Sequence, residues 1–122
     1  MGKSTILWLP DVEEHDYPAA ASYLSLLYKE AEVQKMILRF RVAELTQFKA
    51  KDIFRASGLP LLGMSNFHTE KNKEKIRQGK RLSPLLLIRE SQQGKVVIAD
   101  GYHRLCAIYE FNEDAFIACK II

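Results

Sequence analysis

A chain of 122 residues, 48% hydrophobic and 27% charged, is long enough for one globular core and too short for two domains. That balance excludes extended disorder, and a net charge of +3 permits contact with phosphates or nucleic acid without requiring it. Two cysteines, Cys106 and Cys119, make neither a disulfide framework nor a zinc spacing and read as small buried hydrophobes.

The apolar run from Ile6 to Leu9, stopped by Pro10, is too short for a secretory segment or a membrane span. A cytoplasmic protein is therefore expected. Ser4 to Leu9 reads as a short strand, followed by the acidic loop from Asp11 to Asp16 around His15. Adjacent carboxylates there could bind a cation, although such loops commonly face solvent. Pro18 opens a helix with Asp16 as a cap, and apolar residues at Ala20, Tyr23, Leu24, Leu27, Tyr28, Ala31 and Val33 continue it. Phe40, Val42 and Leu45, with Arg39, Arg41 and Glu44 between them, predict a strand or an extended piece. Phe48 to Ala56 predicts a helix ending at Ser57-Gly58-Leu59-Pro60.

Leu61 to Phe67 reads as a loop, and the charged stretch from His68 to Gln78 as a helix closed by Gly79. In that helix and just beyond it, Lys71, Lys73, Lys75, Arg77, Lys80 and Arg81 form a basic run tempered by Glu70 and Glu74. Such a run is commonly a solvated face; its functional reading sets Lys80 or Arg81 near a phosphate or a nucleic-acid backbone. His68 is a minor candidate because polar loops often line sites. Trp8 belongs to a core or an interface.

The character then changes. Pro84 to Ile88 and Val96 to Ala99 are continuous apolar runs joined by Ser91-Gln92-Gln93-Gly94, which predicts a hairpin of buried strands. Leu105, Cys106, Ile108, Tyr109 and Phe111 predict a buried helix, and Ala115 to Ile122 a closing strand. The class is α+β, with the hairpin, the buried helix and the closing strand as a C-terminal unit.

Asp100-Gly101-Tyr102-His103-Arg104 joins a buried strand to a buried helix. The first N–H groups of that helix lack intrahelical acceptors, and the aligned dipoles leave partial positive charge there. Gly101 allows a tight turn and leaves room for a ligand. His103 and Arg104 add cations where a cation is unfavourable unless an anion arrives to offset it. Asp100 has two readings: a helix cap, or a metal ligand or general base beside a phosphate. The plain alternative is an Asp-Gly turn whose Arg pairs with a surface carboxylate.

These residues, with the runs at Pro84–Ile88 and Val96–Ala99 before them and the final strand after, resemble the ParB/sulfiredoxin-like superfamily. Sulfiredoxins carry Gly-Cys-His-Arg at this turn, ParB N-terminal domains Gly with two basic residues, and free-serine kinases Asp-Gly-His-His-Arg. The charged helix ending at Gly79, ahead of Pro84 and a strand, also fits. The likeness covers roughly the last half of the chain.

It implies a small mixed sheet with helices around it, a single domain over 1–122, and an N-terminal strand and helix extension over 1–38. It also implies a nucleotide (ATP, ADP or CTP, with Mg2+) held by Gly101, His103, Arg104 and Lys80, with Asp100 and His103 as catalytic candidates. The function implied is nucleotide hydrolysis or phosphoryl transfer to a small molecule. Sulfiredoxin repair chemistry is excluded, because its nucleophile falls on Tyr102. No length remains after the last strand for a helix-turn-helix, which argues against chromosome partitioning. Two other readings stay open: a non-catalytic binding or regulatory module, and a DNA-associated nuclease-type domain. No membrane partner is expected.

Overall fold

The computed structural model describes residues 5–60 and 67–122, with the side chains of Phe67 and His68 outside the described set. The predicted loop at 61–66 lies outside it as well.

Two short strands, β1 (Leu7–Trp8) and β3 (Arg81–Leu82), pair in parallel at one side. The main sheet has four strands in the order β2 (Thr46–Lys49), β6 (Phe116–Ile121), β4 (Leu85–Glu90), β5 (Lys95–Asp100). β2 runs antiparallel to β6, β6 parallel to β4, and β4 antiparallel to β5. On one face lie helices α1 (Asp16–Leu24) and α2 (Glu30–Val42); on the other lie α3 (Ala50–Ser57), α4 (Phe67–Arg77) and α5 (Tyr102–Phe111). The class is α+β, as expected.

β4 shows why its sequence is apolar without interruption. Side chains alternate across a strand, so Leu85 and Leu87 enter the core under α3 and α5, while Leu86 and Ile88 enter the core under α1 and α2. All four are nearly fully buried, at roughly 1.5–3 kcal/mol of hydrophobic stabilisation each. β5 behaves likewise, with Ile98 on one side and Ala99 on the other. The predicted hairpin is present, closed by a 3-10 turn at Ser91–Gln93 and by Gly94.

Several boundaries differ from expectation. The first helix stops at Leu24, where the chain turns through Ser25 to Lys29, and a second helix takes up Glu30–Val42. The extended piece expected at Phe40–Leu45 is therefore mostly helical. Val33 and Phe40 are buried on one stripe of the helix, two turns apart, and packing on β4 and β5 outweighs the local alternation. The strand falls later, at Thr46–Lys49, where pairing with β6 holds a segment whose sequence carries little strand signal. The helix expected from Phe48 starts at Ala50 and ends at Gly58, whose positive φ of 68° suits the left-handed cap. The segment 5–42 is no loose appendage: Val12, Tyr17, Ala20, Leu24, Val33 and Phe40 build the second core with β4 and β5.

Asp16 also departs from its expected role. It is the first residue of α1, not a cap, and its side chain is buried beneath the turn that follows β5.

Candidate functional site

β4 and β5 lose simple register between Leu86 and Leu87, so that Asp100 stands opposite Leu86 at the end of β5. Gly101 then turns the chain into α5 at φ 111°, a conformation that disfavours any side chain. A Cβ there would lie 2.5 Å from Leu85 Cγ and 3.0 Å from Arg104 Nη2. The expectation was that glycine clears space for a ligand. Here it clears space for the close approach of β4 and of Arg104.

Asp100 does not cap α5; the helix has no side-chain cap bond, and Gly101 stands at the cap position. Its carboxylate instead accepts from Arg104, Nη2 to Oδ2 at 3.1 Å. The same Nη2 reaches Asp16 Oδ2 and the Pro84 carbonyl, each at 3.5 Å. Asp16 Oδ2 also accepts from Ser83 Oγ at 2.5 Å, and the Ser83 hydroxyl accepts from the Glu13 N–H at 3.0 Å. The loop before α1, the segment before β4 and the start of α5 are thus tied together through one guanidinium. Arg104 Nε is buried and has no hydrogen-bond partner among the described residues, the polar cost of placing the group there.

The cation conflict anticipated at the first turn of α5 is therefore answered in part from inside. Arg104 is offset by two carboxylates, neither of them on the surface: Asp16 and Asp100 side chains are 5% and 18% exposed. Burial pushes the Asp100 carboxyl above its ordinary value, Arg104 pulls it back, and the neighbouring Asp16 carboxylate adds to the rise.

A cleft of about 530 Å³ opens over this turn. Asp100 to Arg104 form one part of its lining, His15 and Ala19 from the α1 side another, and Lys71, Asn72 and Lys75 of α4 a third. His15 Nε2 lies 3.3 Å from Asp16 Oδ1, which joins it to the buried network. An adjoining cleft of about 360 Å³ shares Asp100 to His103 and adds Ala19, Tyr23, Leu59, Ile98 and Ala99. The first can surround an anion with cationic groups at a helix N-terminus; the second offers apolar and aromatic surface.

Of the predicted site residues, Asp100, Gly101, His103 and Arg104 meet at the cleft. Lys80 does not join them. It lies past the end of α4, in an adjoining groove with Glu70, Glu74, Arg77 and Gln78 that shares Lys71 and Lys75 with the cleft. Lys71 and Lys75 occupy the place given to Lys80, because side chains four apart share one helix face. The rest of the basic run is not uniformly solvated. Lys73 is buried and pairs with Glu110 of α5 at 3.0 Å and Glu70 at 3.6 Å, joining α4 to α5. The backbone of His68 is in the first turn of α4, and its side chain is outside the described residues.

Tyr102 donates its hydroxyl to the Pro60 carbonyl and sets its ring edge-on to Phe54, so it anchors the segment after α3. Cys106 is fully buried, and burial pushes the Cys119 thiol up to about 12. Both behave as core residues. Trp8 packs against the core. From sequence Asp16 was legible only as a cap and as part of an acidic loop, and Ser83 not at all, since only the tertiary fold brings them to Arg104.

No helix among the described residues is long and apolar enough to cross a membrane, and no three His, Cys, Asp or Glu side chains among them converge on a metal position. Compared with protein-family models, curated proteins and solved structures, the chain matches none.

Proposed function

We propose that this is a nucleotide-binding domain of the ParB/sulfiredoxin-like type, with the phosphates in the cleft over Gly101 and the rest of the nucleotide toward Tyr23 and Leu59. One observation carries the reading: the start of α5, His15, His103, Lys71 and Lys75 line a single cleft that continues into a less polar one. Free N–H groups at the start of a helix and two lysines suit polyphosphate oxygens. Arg104 supports the site from beneath by holding Asp100 and Asp16.

The reaction proposed is hydrolysis of the nucleotide or transfer of its phosphoryl group. His103 and Asp100, which line the same cleft, are the candidates for proton transfer in this reading, and the raised pKa of Asp100 is compatible with a base. Asp100 would be the carboxylate to hold a Mg2+ ion brought by the phosphates, an ion that typically takes only one or two protein carboxylates. Such an ion would share the phosphate charge.

A second reading, a binding module without turnover, draws support from the engagement of Arg104 and Tyr102 in structural bonds. Titration calorimetry with ATP, ADP and CTP in the presence of Mg2+ tests binding, and phosphate release across small hydroxyl acceptors, free serine included, tests turnover. Binding with release supports the enzyme; binding without release supports the module. Absence of binding by all three nucleotides overturns both. A DNA-associated role is weakened by the withdrawal of Lys73 from the basic run into a buried pair.

A further inference from the structure

A second cavity, of about 210 Å³, lies under α3 at the other end of β5 from the turn. Ile53 and Leu87, both almost fully buried, are among its lining, with half-buried Phe48, Ala56, Val96 and Ile121 beside them. Four strands and one helix thus frame it, so the space is set by the fold and not by one mobile side chain. It is smaller than the pockets that take drug-sized molecules and larger than the ~150 Å³ apolar cavities that accept benzene.

Two charged residues complete the lining, Asp52 of α3 and Arg89 of β4. Asp52 already has a cation, Arg55, at 3.8 Å. Arg89 is exposed, and its guanidinium pairs with no carboxylate among the described residues. An apolar chamber with an unmatched guanidinium selects for a molecule that is apolar at one end and anionic at the other, because the fork of Arg donors fits a carboxylate.

We infer that this cavity binds a small apolar carboxylate, with a branched or aromatic body of about five to seven carbons between α3 and the sheet and its carboxylate on Arg89. The source is a free acid or an apolar amino acid, which share that chemistry; an ammonium group would face Asp52. The site is separate from the phosphate cleft and does not depend on the nucleotide reading.

The test is titration of the isotopically labelled full chain with 4-methylpentanoate, leucine and 4-methylpentan-1-ol, followed by NMR. Either carboxylate should move the signals of Leu87, Val96 and Ile121 and leave those of Gly101 and His103 in place. Arg89→Gln should weaken carboxylate binding about fivefold, and the alcohol should bind about fivefold more weakly than the acid. Ala56→Leu, which fills the chamber from α3, should abolish binding; should it fail to fold, the exposed Arg89→Gln change still decides. Tighter binding of leucine that Asp52→Asn removes would identify the amino acid as the source and support the carboxylate assignment. No movement at ~10 mM of either carboxylate, equal binding of the alcohol, or indifference to Arg89→Gln overturns the inference.

Discussion

Arg104 on α5 and the pair Lys71 and Lys75 on α4 line the same cleft, yet their surroundings are opposite in kind. Arg104 is mostly covered, held by Asp100, Asp16 and the Pro84 carbonyl, and its charge is largely met inside the protein. Lys71 is exposed, Lys75 half-buried, and neither pairs with a carboxylate among the described residues. Cations of one sign can thus divide the work within one cleft. The paired one fixes the geometry of the turn, and the unpaired ones are available to an incoming anion. Separation is helped by Lys73, which turns inward to Glu110 and so fixes α4 against α5.

The sharpest way to break that division is on the buried side. Asp16→Ala removes one partner of Arg104 and the acceptor of Ser83, and leaving a buried charge short of a partner costs about 3 kcal/mol. Chemical denaturation should show this loss at neutral pH. A cost below ~0.5 kcal/mol, the range of ordinary surface changes, would place Arg104 outside the structural role. Arg104→Ala perturbs the same network and is a poor probe of ligand contact for that reason.

Gly101→Ala comes next. The positive φ and the overlap with Leu85 Cγ together should cost about 2–3 kcal/mol, read in the same denaturation experiment. Because the overlap is with the core, the loss should appear without any ligand present.

On the open side, the Lys71→Ala and Lys75→Ala double variant should bind nucleotide about tenfold more weakly, with stability unchanged within ~0.5 kcal/mol. The loss should shrink as salt rises, since exposed charges are screened. Lys80→Ala, outside the lining of the cleft, should leave affinity unchanged.

The smallest effect concerns pH. Asp100 has a folded pKa raised above 3.8, mainly by burial, so between those two values the folded protein holds a proton that the unfolded chain has released. Stability from this group is therefore greatest below that window and falls as pH rises through it. Asp100→Asn should remove this component: across the acid range, the stability of the original protein relative to the variant should decline with rising pH. A relative stability that climbs with pH would mean that the Arg104 bond outweighs burial.

Much of the C-terminal unit was legible in the chain. Residues 85–88 are buried on both faces, and 96–99 are half-buried to buried, so their strands left unbroken apolar runs, and Asp100 to Arg104 marked the junction with a buried helix. The N-terminal half was less legible. Phe40 sits among charges that mimic alternation, and Thr46–Lys49 becomes a strand only because β6 lies beside it.

The turn shows the same division most closely. Sequence alone determined that a glycine stands between a buried strand and a buried helix, with His103 and Arg104 in the first helical turn, because apolar periodicity and glycine are local signals. Tertiary structure decided what those residues do. Asp16 lies 88 positions from Arg104 and Ser83 lies 67 from Asp16, and no local pattern encodes such a meeting. The same folding of α4 over α5 brought Lys71 and Lys75, one helical turn apart on one face, to the cleft, while Lys80 falls outside its lining because the helix has already ended at Arg77.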